Sequence, residues 1–156
     1  MRWRNAVALG ILLSLTACQQ QQQQQQQQEP DVTAPPPVVR HDIEPLARTF
    51  PALGIPVSAS WITWGNVAEV SNLKLRWIDA VVQVAPTVMD SLVEQHESEV
   101  TTQRPAVQKV LEPDVPPGPF RTGVELNMEF GGERRSTRVF LDPQRDTVVL
   151  QSSLAG

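Results

Sequence analysis

The chain of 156 residues has one cysteine, no tyrosine, two histidines and only two lysines among its 13 basic residues. A lone thiol, Cys18, cannot close an intrachain disulfide, so any fold must rest on packing alone. Two histidines and one cysteine provide no zinc constellation of the usual spacing. The longest uncharged, mostly apolar run, Ala6 to Leu15, has ten residues, well short of the roughly 20 that a membrane-spanning helix requires. Gly-x-Ser-x-Gly, the phosphate-binding loop, Gly-x-Gly-x-x-Gly and His-Glu-x-x-His are all missing, which removes the common signatures of serine hydrolases, nucleotide enzymes and zinc proteases. No internal repeat is present.

What is there begins with Arg2 and Arg4 ahead of the apolar run, the order expected of a secretory signal. Leu15-Thr16-Ala17-Cys18 follows directly and resembles the lipobox of bacterial lipoproteins, Leu-[Ala/Ser/Thr]-[Gly/Ala]-Cys. The resemblance covers residues 1–18 only. It implies cleavage between Ala17 and Cys18, a diacylglyceryl group on the Cys18 sulfur, and an acylated new amino terminus. Two or more acyl chains anchor a protein stably, at roughly 0.8 kcal/mol per buried methylene. An ordinary cleaved signal or an uncleaved anchor with an incidental cysteine is the competing reading. The expected address is the cell envelope, at the outer face of the cell membrane or at the outer membrane.

Ten glutamines, Gln19 to Gln28, and a proline-rich segment come next. Nothing here has apolar periodicity, so residues 18–40 are expected to be a disordered tether carrying the lipidated cysteine. About 22 residues span roughly 26 Å as coil and about 70 Å as extended polyproline II. A spacer is the simple role, and a ligand for a proline-recognition module is the sharper one. With a signal peptide of residues 1–17 removed, 11 basic residues face 17 acidic ones, a net charge of −6. An acidic body argues against nucleic-acid binding and against electrostatic adhesion to anionic lipid.

Residues 41–156 are expected to form a single small α+β domain, a mainly antiparallel sheet with two or three short helices. Ile43, Leu46, Ala47 and Phe50 have helical spacing, with Asp42 as a candidate cap and Pro51 as the stop. Val57, Ala59 and Trp61 mark one face of a strand. The segment from Leu73 to Val84 fits both periods, and its valine-rich end favours strand. Pro86 to Ser98 predicts a helix, Pro105 to Glu112 a short one, and the prolines from Pro113 a connector. A three-stranded C-terminal meander is predicted: Val124, Leu126, Met128 and Phe130 alternate with polar residues, Gly131-Gly132 turns the chain, and "STRVFLD" and "TVVLQS" follow around the Asp142–Asp146 turn.

The candidate sites are few. Trp61, Trp64 and Trp77 lie within 17 residues. Trp61 and Trp77 suit the core, while alternation puts Trp64 on the opposite, exposed face, where it becomes a candidate binding residue. Arg134, Arg135 and Arg138 cluster near the Gly-Gly turn and are candidates for gripping a carboxylate or phosphate, or merely a soluble guard for the sheet. His96 and Glu99, at i, i+3 with Glu94 nearby, are a weak metal candidate against plain helix-end polarity. Asp79 is a functional carboxylate only if its strand faces a cleft.

No catalytic residue, metal or cofactor is expected. The leading expectation is a non-enzymatic envelope lipoprotein, held to the membrane by its lipid, whose domain binds a protein or cell-wall component. Alternatives are a small envelope hydrolase or transferase using a carboxylate such as Asp79, and a phage or plasmid exclusion or immunity lipoprotein.

Overall fold

A computed structural model describes the backbone of residues 37–65 and 75–155. The leader, Ala17, Cys18, the glutamine tract, and Leu73 and Lys74 of the predicted second strand lie outside the described residues. Along the chain come helix α1 (Glu44–Thr49), a 3-10 turn (Pro51–Leu53), strands β1 (Ser58–Trp64) and β2 (Leu75–Gln83), and helix α2 (Pro86–Gln95). Strand β3 (Glu99–Thr101), a second 3-10 turn (Lys109–Asp114), β4 (Phe120–Thr122), α3 (Val124–Glu129), β5 (Arg135–Asp142) and β6 (Thr147–Ala155) complete it. The six strands form one antiparallel sheet in the order β1-β2-β6-β5-β4-β3. The architecture is α+β.

Each sheet face carries its own core, as strand alternation requires. On one face Ala59, Trp61, Ile78, Ala80, Val82, Val139, Leu141, Val148 and Leu150 pack beneath Leu46 of α1 and Phe50 just after it, Met89 and Leu92 of α2, and Leu126 and Phe130. On the other, Ile62, Val81, Phe140 and Val149 pack beneath Val107, Leu111 and Val115 of the irregular connector between β3 and β4. Helices therefore cover one face and a proline-rich strap covers part of the other. The predicted short helix at residues 105–112 is a 3-10 turn at Lys109–Asp114, with Pro113 inside it.

The predicted meander needs correction. Only its last two strands form, as the β5–β6 hairpin, and residues Val124–Glu129 are helix α3 instead of a strand. The sequence fits both periods, because Leu126/Phe130 and Val124/Met128 are also i, i+4 pairs. Glu125, Leu126, Met128 and Glu129 are good helix formers, and glutamate is depleted in strands. As a helix, the segment buries Leu126 and Phe130 completely and turns Val124 and Met128 outward, 74% and 73% exposed. Beside β5 the backbone is satisfied by side chains rather than by a long strand: Val139 N–H donates to Asn127 Oδ1 at 2.8 Å, and Thr122 Oγ1 donates to the Val139 carbonyl at 2.7 Å. The short β4 supplies the remaining pairing, at Arg121 and Leu141.

Smaller corrections follow the same logic. The turn before β5 is Glu133-Arg134, closed by the Gly132–Arg135 bridge, and neither Gly131 nor Gly132 takes a positive φ. Asp42 does not cap α1, because its carboxylate takes two hydrogen bonds from Arg40, at 3.1 and 2.6 Å. Val57 lies just outside β1 and is exposed. The predicted turn at Asp142–Asp146 forms as a tight loop: fully buried Asp142 accepts from Gln144 N–H and from Arg145 Nη1, and Asp146 adopts a positive φ of 48°.

Candidate functional site

The strap leaves part of its sheet face uncovered at the end where β1 and β2 carry tryptophan. In register across the sheet, one row reads Trp64, Trp77, Ser153, Ser136, and the next reads Ile62, Asp79, Gln151, Arg138. Side chains of the two rows share a face, since each is two residues from its neighbour along the strand. Ser136 and Arg138 are exposed, and Trp64, Trp77, Gln151 and Ser153 are half-buried. The two indoles stack with ring centroids 5.2 Å apart and planes 13° from parallel. That arrangement turns the far face of Trp77 toward β6, where the residue in register is the small Ser153. An aromatic wall thus stands beside a floor of hydroxyls, with Arg138 on the same face, two strands across from Trp77 and one row along.

Asp79 fixes this arrangement. Its carboxylate Oδ2 accepts the Trp64 indole N–H at 3.1 Å and the Gln108 backbone N–H at 2.8 Å. The first bond sets the tilt of the stacked pair, and the second ties the strap to the sheet. A parallel tie joins Gln151 Nε2 to the Ala106 carbonyl at 2.8 Å. Asp79 is 2% exposed. Burial pushes its carboxyl above the ordinary aspartate value, opposed by the hydrogen bonds from Gln108 and Trp64. A carboxylate so placed holds other groups in position; it does not open onto a cleft where it could exchange protons with a substrate.

Sequence reasoning paired Trp64 with exposure, and the structure shows a half-buried ring instead, stacked on one side and hydrogen-bonded at its nitrogen. Trp61 does sit in the core, 4% exposed. Trp77, expected there too, is Trp64's partner on the opposite face. The three arginines are not brought together. Arg135 lies over the Phe50 ring at 4.8 Å and donates to the carbonyls of Phe130, Thr49 and Gly131, at 3.1, 2.7 and 2.9 Å. Those contacts lock the end of α1 to the end of α3. Arg134 is exposed in the turn, and Arg138 points to the strap side of the sheet. His96 and Glu99 share no helix face, because α2 ends at Gln95. Among the described residues no group of three His, Cys, Asp or Glu side chains could hold a metal ion. Among them, too, no helix is long and apolar enough to cross a membrane.

At the other end of the strap face lies a polar groove of about 430 Å³ lined by His41, Ser60, Asp114 and Arg145 among others. It holds no nucleophile–base pair at His41 Nδ1. That nitrogen sits 2.9 Å from the Ala59 carbonyl and must donate to it, so it cannot accept a proton from Ser60 Oγ, 3.4 Å away.

The predicted last strand stops at Ser152 and so leaves out Ser153, whereas β6 continues to Ala155; Gln151 lies inside the predicted strand, but its tie to Ala106 depends on the strap. Compared with family models, with curated proteins and with solved structures, the chain matches none.

Proposed function

We propose that this is a lipid-anchored lipoprotein of the cell envelope whose folded part is a non-enzymatic binding module for the saccharide of the cell wall. The observation that carries the reading is the Trp64–Trp77 stack, held by a buried carboxylate beside Ser153, Ser136 and Arg138. Sugar rings present apolar C–H faces that pack on an indole, and hydroxyls that need donors and acceptors. Trp77, the serines and the Arg138 guanidinium supply both kinds of contact on one sheet face. The cysteine at position 18 and the glutamine-rich spacer support the envelope address on the sequence motif, and the acidic body leaves membrane attachment to the acyl chains.

The test is cosedimentation of the full-length protein with purified cell-wall sacculi, backed by tryptophan-fluorescence titration with a soluble glycan fragment. Trp77→Ala and Arg138→Ala should each weaken binding by about tenfold or more, which corresponds to about 1.4 kcal/mol. Absence of sedimentation, or binding that both variants leave intact, would remove the aromatic face from the proposal.

A further inference from the structure

The sheet has two edges, and they are treated differently. The outer edge of β1 is covered by the chain that enters the fold. Arg40 N–H donates to the Trp61 carbonyl at 2.8 Å and Trp61 N–H returns to the Arg40 carbonyl at 3.0 Å. At the far edge β3 pairs only with β4, and no other described strand lies outside it. An unpaired strand edge presents a row of backbone donors and acceptors that another extended segment can complete.

What surrounds this edge is specific. Val100 of β3 is 64% exposed, and Val124 and Met128 project outward from successive turns of α3. Three of the large apolar side chains exposed on the described surface therefore belong to one neighbourhood. Val100 and Val124 line a groove of about 620 Å³ between β3 and the start of α3. Three carboxylates, Glu97, Glu99 and Glu125, line it as well, and no basic residue does. Arg121, the residue in register with Val100, is held by Ser98, donating to its Oγ at 3.0 Å and to its carbonyl at 2.6 Å. The Glu125 carboxylate accepts the Glu97 backbone N–H at 2.7 Å, which holds the carboxylate rim in place.

We infer that the β3 edge is a docking site for an extended, cationic polypeptide segment of a partner protein, added as a seventh strand. Its backbone pairs with β3, an apolar side chain seats against Val100 and Val124, and Lys or Arg residues meet Glu97 and Glu99. Alternation makes one segment satisfy both demands, because successive side chains of a strand point to opposite sides. The short length of β3 limits indiscriminate pairing, and its carboxylates select against acidic strands. The same charges disfavour a second copy, since β3 against β3 would bring carboxylate to carboxylate. They also disfavour an anionic lipid surface. The β3 edge is separate from the proposed saccharide face, whose residues lie on the strap side near β1 and β2.

The experiment uses the full-length protein in detergent micelles and a blocked seven-residue peptide alternating lysine and valine, with its glutamate–valine counterpart as control. Hydrogen–deuterium exchange is followed across the chain. The lysine peptide should slow exchange at residues 97–101 with an effect that fades as salt is raised, and the glutamate peptide should not. Val124→Lys, at an exposed helix position that leaves the fold intact, should weaken the lysine peptide at least about tenfold. The double variant Glu97→Lys/Glu99→Lys should reverse the peptide preference. Protection confined to other segments, equal protection by both peptides, or no protection at millimolar peptide would overturn the inference. Concentration-dependent protection of residues 97–101 without peptide would overturn it in favour of self-association.

Discussion

Replacing Asp79 separates its two tasks. In Asp79→Ala the Gln108 amide and the Trp64 indole N–H both lose their acceptor, bonds of 2.8 and 3.1 Å in the native protein. Each unpaired donor costs about 1–3 kcal/mol. Both residues are half-buried, so water reaches the donors in part and the lower half of that range applies. Removing a buried negative charge offsets some of the loss, for a net destabilisation of roughly 2–3 kcal/mol and a Tm lower by roughly 10 °C for a domain of this size. Asp79→Asn keeps an oxygen acceptor and sheds the charge, so it should lie within about 1 kcal/mol of the parent. The two proteins also differ with pH. Burial raises the Asp79 carboxyl above its ordinary value in the fold, so across that window the folded state binds more protons than the unfolded state. This contribution to stability therefore declines as pH rises from the ordinary aspartate range through the folded value, then stays level. The Asp79→Asn variant has no proton to exchange at this position and lacks that dependence. Urea denaturation followed by circular dichroism, from pH 4 to pH 8, should show the parent gaining on Asp79→Asn as pH falls. The difference between the proteins carries the signal, because other carboxylates titrate in both. Equal stability of the Ala and Asn variants, with no pH trend between parent and Asp79→Asn, would refute the assignment of Asp79 as a buried tie.

Three further outcomes are expected. Leu126→Ala should cost about 2–4 kcal/mol in chemical denaturation and Met128→Ala under about 0.5, since the first is fully buried and the second 73% exposed; similar costs for both would return the segment to a strand with the two residues on one face. Arg135→Ala should destabilise by about 2–3 kcal/mol through loss of three carbonyl contacts, with Arg135→Lys failing to restore them, while Arg138→Ala leaves the melting temperature unchanged. Cys18→Ser should abolish lipid labelling and release the protein from the membrane fraction, and continued membrane association would defeat the anchor.

How much of this was legible depends on whether neighbours in the chain or across the sheet decide the outcome. Proline at the start of α2, the Asp142–Asp146 turn and the β-favouring Val139-Phe140-Leu141 run of β5 are local signals, readable without any tertiary contact. Strand alternation likewise places Trp61 and Trp64 on opposite faces. Residues 124–130 were misread because two apolar periods coincide there, and the choice is made by the helix propensity of Glu125, Leu126, Met128 and Glu129 together with the room beside β5. Strands β3 and β4, three residues each, carry no period at all. Their pairing is a consequence of α2 carrying the chain across to the far edge of the sheet. The Trp64–Trp77 stack needed the hairpin register, in which those two residues face each other. The ties of Asp79 to Gln108 and of Gln151 to Ala106 join segments 29 and 45 residues apart, beyond the reach of any sequence window.

The arm that leads into α1 gives the molecule a direction. Arg40 and Trp61 exchange backbone hydrogen bonds, the Trp61 indole N–H donates to the Asp42 carbonyl at 2.9 Å, and the Arg40 guanidinium lies 4.1 Å over the same ring. Any chain entering from Pro37 is thereby clamped to the β1 edge before the fold begins. Six strands place β3 five spacings away, about 24 Å across the sheet. The described fold thus closes the β1 edge with its own arm and leaves the acidic, apolar β3 edge at the other end of the sheet. The edge proposed to take a cationic strand is therefore the one that the arm does not occupy, so the two extended segments do not compete for the same row of backbone groups.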